Sequence, residues 1–105
     1  MIELECRKVE FFSSQDEASF FAWAQGIASV SSVNGSDSTI IRVKTKGIPA
    51  KSLHELLALF RRHNVSMGQL SQFLNARNES WFGSPVAYWH KLVFSALPER
   101  DLTVR

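Results

Sequence analysis

Three histidines and one cysteine are the residues whose chemistry would be easiest to recognise in this chain, and their spacing decides what they can do. No pair among His54, His63 and His90 has the i, i+4 separation that sets two imidazoles on one helical face. A metal site needs three or four converging ligands, so each histidine reads as an ordinary surface or cap residue. The single cysteine, Cys6, excludes an internal disulfide and any site built from several thiolates, and it suits a reducing compartment. Cys6 could serve as a nucleophile only beside a base, and its place in an alternating run predicts a small buried hydrophobe instead. Gly35 and Gly47 are isolated turn residues, not a phosphate-cradling loop. The carboxylates stand in capping or charge-rich contexts. These features argue against an enzyme, and no cofactor, metal or small-molecule substrate is expected.

Binding chemistry is better represented than catalysis. Trp81, Phe82, Tyr88 and Trp89, with Phe94, crowd into the last quarter of the chain. Neighbouring side chains on a helix diverge by about 100°, so one core face cannot bury both members of each pair. At least one ring is expected to be half-exposed, as aromatic anchors of protein interfaces are. Arg61 and Arg62 join these four as a candidate partner-binding set. A second candidate is the outward face of a sheet, with Glu3 and Glu5 on one strand and Arg42, Lys44 and Lys46 on another. A third reading concerns residues 56–77, which resemble a helix-turn-helix whose second helix offers Gln69, Ser71, Gln72, Asn75 and Arg77 to a duplex. That helix has few cations and a glycine, Gly68, in its first turn, so nucleic acid is the lesser alternative.

Length and charge frame these options. The chain has 105 residues, enough for one domain and too few for two separate cores. Lys and Arg total 12 against 10 Asp and Glu, too small an excess to announce nucleic acid or membrane as the partner. The charges are segregated: residues 1–40 hold two cations and six carboxylates, residues 41–105 ten cations and four carboxylates. Pairing of Glu-bearing with Lys/Arg-bearing strands across a solvent face explains that segregation without any function. No apolar run is long enough to span a bilayer, and the acidic start is unlike a signal peptide, so a cytoplasmic location is expected.

The elements that must position these residues follow from pattern. Ile2, Leu4 and Cys6 alternate with charged residues and predict a strand, which either bulges to bring Val9 and Phe11 onto the same face or ends near Cys6. Ser14 and Glu17 form a capping box for a helix over about 14–25, with Phe20, Phe21 and Ala24 inward and Trp23 on the flank. Residues 28–46 predict a hairpin turning at Asn34-Gly35-Ser36-Asp37. A second box at Ser52 and Glu55 opens a helix carrying Leu53, Leu56, Leu57 and Phe60, which Asn64 ends in a left-handed conformation. A third helix starts at Ser66 and buries Leu70, Phe73 and Leu74. One turn follows at 78–83, and a fourth helix starts at Ser84-Pro85 with Val86, Tyr88, Trp89, Leu92 and Val93. The expected fold is α+β, in the order β-α-β-β then helices, with a small three-stranded, mainly antiparallel sheet and helices on one face. It is read as one domain over 1–105, with a tail that frays from about residue 98.

The segment "LHELLALFRRHNVSMGQLSQF", followed by "WF" and "AYWHKLVF", comes after a strand, a helix beginning "FF.W" and a hairpin. In this arrangement, residues 9–95 resemble small bacterial immunity proteins of polymorphic toxin systems, including those of contact-dependent growth inhibition. The resemblance implies a cytoplasmic protein that binds one toxin C-terminal domain and blocks its active site or substrate approach. Inhibitors of basic nucleases are commonly acidic, whereas this chain has a pI near 9.0. The resemblance therefore implies either a target that is not strongly basic or a contact through the acidic first third.

Overall fold

The alternation at the start of the chain produces strand β1 (Ile2–Cys6) in the computed structural model, which describes residues 1–7, 9–35 and 38–94. β1 ends at Cys6 without bulging. Val9 and Phe11 leave the sheet yet pack half-buried against the core. Helix α1 (Ser14–Gly26) is capped one residue earlier than the sequence pattern suggests. Ser13, in an extended conformation, accepts from the Asp16 N–H at 3.0 Å, and Asp16 Oδ2 accepts from the Phe12 N–H at 3.1 Å. This reciprocal pair does the work expected of Ser14 and Glu17, because the short Asp16 side chain reaches back where Ser13 faces it.

The hairpin forms as β2 (Val30–Gly35) and β3 (Thr39–Val43). β3 lies in the middle, and the sheet order is β1-β3-β2 with both pairings antiparallel. Leu4 faces Ile41 and Ile2 faces Val43, so one side of the sheet presents Leu4, Cys6, Ile41 and Val43 to the core. Glu3 and Arg42 face each other on the other side. The fold is α+β as the pattern predicts.

Pro49, with φ −64° and ψ 157°, sets up helix α2 (Ala50–Arg62) as its cap residue. The predicted box at Ser52 and Glu55 is therefore inside the helix and does other work. Ser52 is buried and accepts from the Ser29 hydroxyl at 2.9 Å, while Glu55 accepts from Trp23 Nε1 at 2.8 Å. Both contacts lash α2 to α1 and its exit. Leu53, Leu56, Leu57, Leu59 and Phe60 are fully buried. Asn64, at φ 56°, ends the helix as expected: Val65 N–H reaches Phe60 O at 2.9 Å and Asn64 N–H reaches Arg61 O at 3.4 Å.

The next element is a 3₁₀ helix, Met67–Phe73, not an α-helix. Its three residues per turn align Met67, Leu70 and Phe73 on the core side and leave Leu74, expected in the core, 42% exposed. Helix α3 (Glu79–Phe82) is the single turn foreseen. Helix α4 is only His90–Phe94, because residues 85–89 form turns that carry the Trp89 ring back over α3. Val86, placed on an apolar helical stripe by the pattern, is 92% exposed in consequence. α4 packs on the 3₁₀ helix. The predicted frayed tail lies outside the described residues, as do Ser36 and Asp37 of the predicted turn.

Candidate protein-binding surface

The aromatic end is mostly core. Phe82 is fully buried and Trp89 is 8% exposed, with the indole Nε1 donating to the Phe82 carbonyl at 2.8 Å. Gly83 allows this return: a Cβ there would stand 2.9 Å from the Glu79 carbonyl oxygen. Phe82 and Trp89 are thus spoken for by packing and cannot anchor a partner. Trp81 is half-buried, stacked on His54 at 4.4 Å and edge-on to Trp89 at 6.1 Å. Only Tyr88 of the four is largely exposed. Arg61 and Arg62 stand at the opposite end of α2 from His54, roughly 10 Å further along the helix axis. The structure therefore splits the set chosen from the sequence.

On the outward sheet face, Arg42 Nε pairs with Glu3 Oε2 at 3.0 Å across the strands, the neutral explanation offered for the charge segregation. Glu5 Oε1 pairs with Arg7 at 3.2 Å, and Ser38 donates to its other oxygen. The Arg7 contact holds the Glu5 carboxyl below its ordinary value. Lys44 and Lys46 are exposed beyond the end of β3. The helix-turn-helix reading finds no second α-helix. Gln69 instead hydrogen-bonds the main chain of β1, accepting from Glu5 N–H at 2.8 Å and donating to Glu5 O at 2.7 Å. Ser71 donates to Gly68 O, and Asn75 Oδ1 caps the N–H groups of Arg77 and Asn78.

A different surface gathers at the C-terminal end of α2. Phe11 turns inward against Phe20, at 5.5 Å between ring centroids, and against His63. Its neighbour Phe12 turns outward and is 88% exposed, while the hydrogen bond to Asp16 holds its backbone in place. Beside Phe12 an open groove of about 430 Å³ is lined by Glu10, Asp16, Arg62, His63 and Asn64. A second groove of about 310 Å³ shares Asn64 and continues past Arg61, Met67 and Gly68 to Leu92, itself 46% exposed. Arg61 and Arg62 thus lie between two exposed apolar side chains. Phe12 was legible in principle: two adjacent phenylalanines just before a helix cap cannot both face the core.

Cys6, His54 and His63 are each engaged in packing, while the buried Nδ1 of His90 has no hydrogen-bond partner among the described residues. Burial raises the Cys6 thiol to about 12, far from a nucleophile's range. His63 lies against Phe20 at 4.9 Å with Nδ1 3.1 Å from the Leu59 carbonyl oxygen, and His54 carries Trp81. Among the described residues no cluster of His, Cys, Asp or Glu could hold a metal ion, and no helix is long and apolar enough to cross a membrane. No family model, curated protein or solved structure matches the chain.

Proposed function

We propose that the chain is a protein-binding module of the immunity type, acting in the cytoplasm by binding a cognate toxin domain and blocking it. The sequence resemblance suggests the class. The observation that carries the binding role is Phe12, a large aromatic held almost wholly in solvent by a capped backbone, with Arg62 beside it. Aromatic and arginine side chains supply most interface hot spots, and burying one phenylalanine ring contributes about 1.5–3 kcal/mol. Leu92 and Arg61 extend the patch. The complementary partner surface is an apolar pocket with charges of both signs at its rim, carboxylates opposite Arg61 and Arg62 and cations opposite Glu10 and Asp16.

Co-expression with the C-terminal domain of the toxin encoded immediately upstream tests this. Cells are expected to survive with the native chain and to die with Phe12→Ala or Arg62→Glu, while both variants melt at the native temperature. A neighbourhood with no toxin gene, or protection that persists in both variants, would overturn the reading.

A further inference from the structure

The free edge of β2 is built differently from the free edge of β1. Main-chain groups along an antiparallel strand point alternately to either side. Gln69 takes the N–H and C=O of Glu5 on the outer side of β1, so Leu4 and its partner Ile41 exchange bonds between β1 and β3. Ile40 and Arg42 then face β2, opposite Asn34 and Ser32. The bond from Lys44 N–H to Ser29 O, 3.0 Å, continues that phase. The main-chain groups of Val33 and Gly35 consequently point outward. No other described element hydrogen-bonds them.

Two further features mark this edge. The core-facing Val30 and Val33 are only half-buried, whereas Ile41 and Val43 on β3 are fully buried, and Phe21 of α1 is half-buried against Gly35. Among the described residues, nothing covers the apolar layer where it reaches this edge. β2 is also the only one of the three strands without a charged residue, reading Val-Ser-Ser-Val-Asn-Gly. Charges are the usual guard of an exposed strand.

We propose that β2 pairs antiparallel with β2 of a second copy, about a two-fold axis at Val33, to give a continuous six-stranded sheet. In this register Val33 exchanges both main-chain bonds with its counterpart, and Ser32 stands opposite Asn34 of the second copy on the solvent face. The strand is self-compatible because no like charges meet. The half-exposed Val33 and Phe21 of the two copies continue one apolar layer across the junction. This inference does not rest on the toxin reading.

Sedimentation equilibrium of the full chain from about 1 μM to 1 mM, a range that spans weak to moderate affinities, is expected to show mass rising from one chain to two. The double variant Ser32→Glu/Asn34→Glu sets two Glu–Glu pairs across the axis and is expected to raise the dimer Kd about tenfold. Ser32→Glu/Asn34→Lys sets two Glu–Lys pairs instead and is expected to bring Kd back to the native value or below. Both pairs of substitutions lie on the solvent face, and circular dichroism checks that each variant folds. Exchange at the Val33 and Gly35 amides is expected to slow as concentration rises. A single-chain mass at every concentration, or equal weakening by both double variants, would overturn the proposal. So would a monomer whose two edge amides become protected only when a toxin domain that the chain binds is added, which would give the edge to a foreign strand.

Discussion

Gln69→Ala removes a carboxamide that acts as a one-residue partner strand for β1. Three hydrogen bonds are lost, two to the main chain of Glu5 at 2.8 Å and 2.7 Å and a more exposed one donated to the Ser66 carbonyl at 3.1 Å. A neutral hydrogen bond contributes about 0.5–1.5 kcal/mol net, and the freed groups lie at a strand edge that water can reach. The expected destabilisation is therefore about 1–2 kcal/mol, or about 4–12 °C in Tm for a domain of this size. Gln69→Glu separates the geometry from the mere presence of a side chain. At neutral pH its carboxylate can accept from the Glu5 N–H but turns its second oxygen towards the Glu5 carbonyl oxygen, so the loss is at least as large as for alanine. Once protonated, below about pH 4, the carboxyl again offers one donor and one acceptor. The folded state thus raises the pKa of this introduced carboxyl. Its stabilisation is present at low pH and is lost as pH rises through that raised value. Urea unfolding of both variants and the native chain at pH 7 and pH 4 measures these differences. A Gln69→Ala variant within about 0.3 kcal/mol of native, small beside the contribution of one such bond, would refute the reasoning. So would a Gln69→Glu deficit that is the same at both pH values.

Trp81→Ala is expected to cost about 2 kcal/mol of stability, because the half-buried ring stacks on His54 and meets Trp89 edge-on; thermal melting reads it, and binding through the Phe12 surface should be unchanged. Trp89→Phe leaves the buried Phe82 carbonyl without its indole donor and is expected to destabilise by about 1–3 kcal/mol in urea titration. For Cys6, the folded thiol is raised to about 12 from an ordinary 9.0, so its contribution is complete below pH 9 and falls as pH rises towards 12. Stability is expected to drop by about 1.4 kcal/mol per pH unit in that window, and Cys6→Ala should remove this component. Equal alkaline slopes for the two chains would contradict it.

The sheet half was readable because a period of two has few imitators. Ile2, Leu4 and Cys6, then Ile41 and Val43, could only face one way. The helical half was less so, for reasons of geometry. Met67, Leu70 and Phe73 repeat every three residues, yet an assumed α-helical period admits Leu74 as well. Ser52 looks like a cap by type, but its role depends on Ser29, which meets it only after folding. Ser84-Pro85 has the form of a helix start, and Trp89 overrides it by reaching back to the Phe82 carbonyl. The candidate surface suffered most. Aromatic density pointed to residues 81–89, where most rings satisfy one another, while Phe12 stood beside a partner, Phe11, that took the buried place.

The central position of β3 also sets an order of events in folding. β2 and β3 are sequence neighbours and close a short loop. β1 reaches β3 only across the whole of α1 and β2, and gains its second flank only when residue 69 arrives. Closing the longer loop carries the greater entropic cost, so β1 adds to a hairpin already formed. β1, which precedes both hairpin strands in the chain, is thus the last of the three to be secured. Kinetically, Leu4→Ala is expected to speed unfolding and leave the refolding rate nearly native, whereas Ile41→Ala should slow refolding. The reverse pattern would place β1 in the nucleus. During synthesis, β1 remains an unpaired strand until β3 has emerged, and its alternating glutamates keep that waiting strand from pairing with its neighbours.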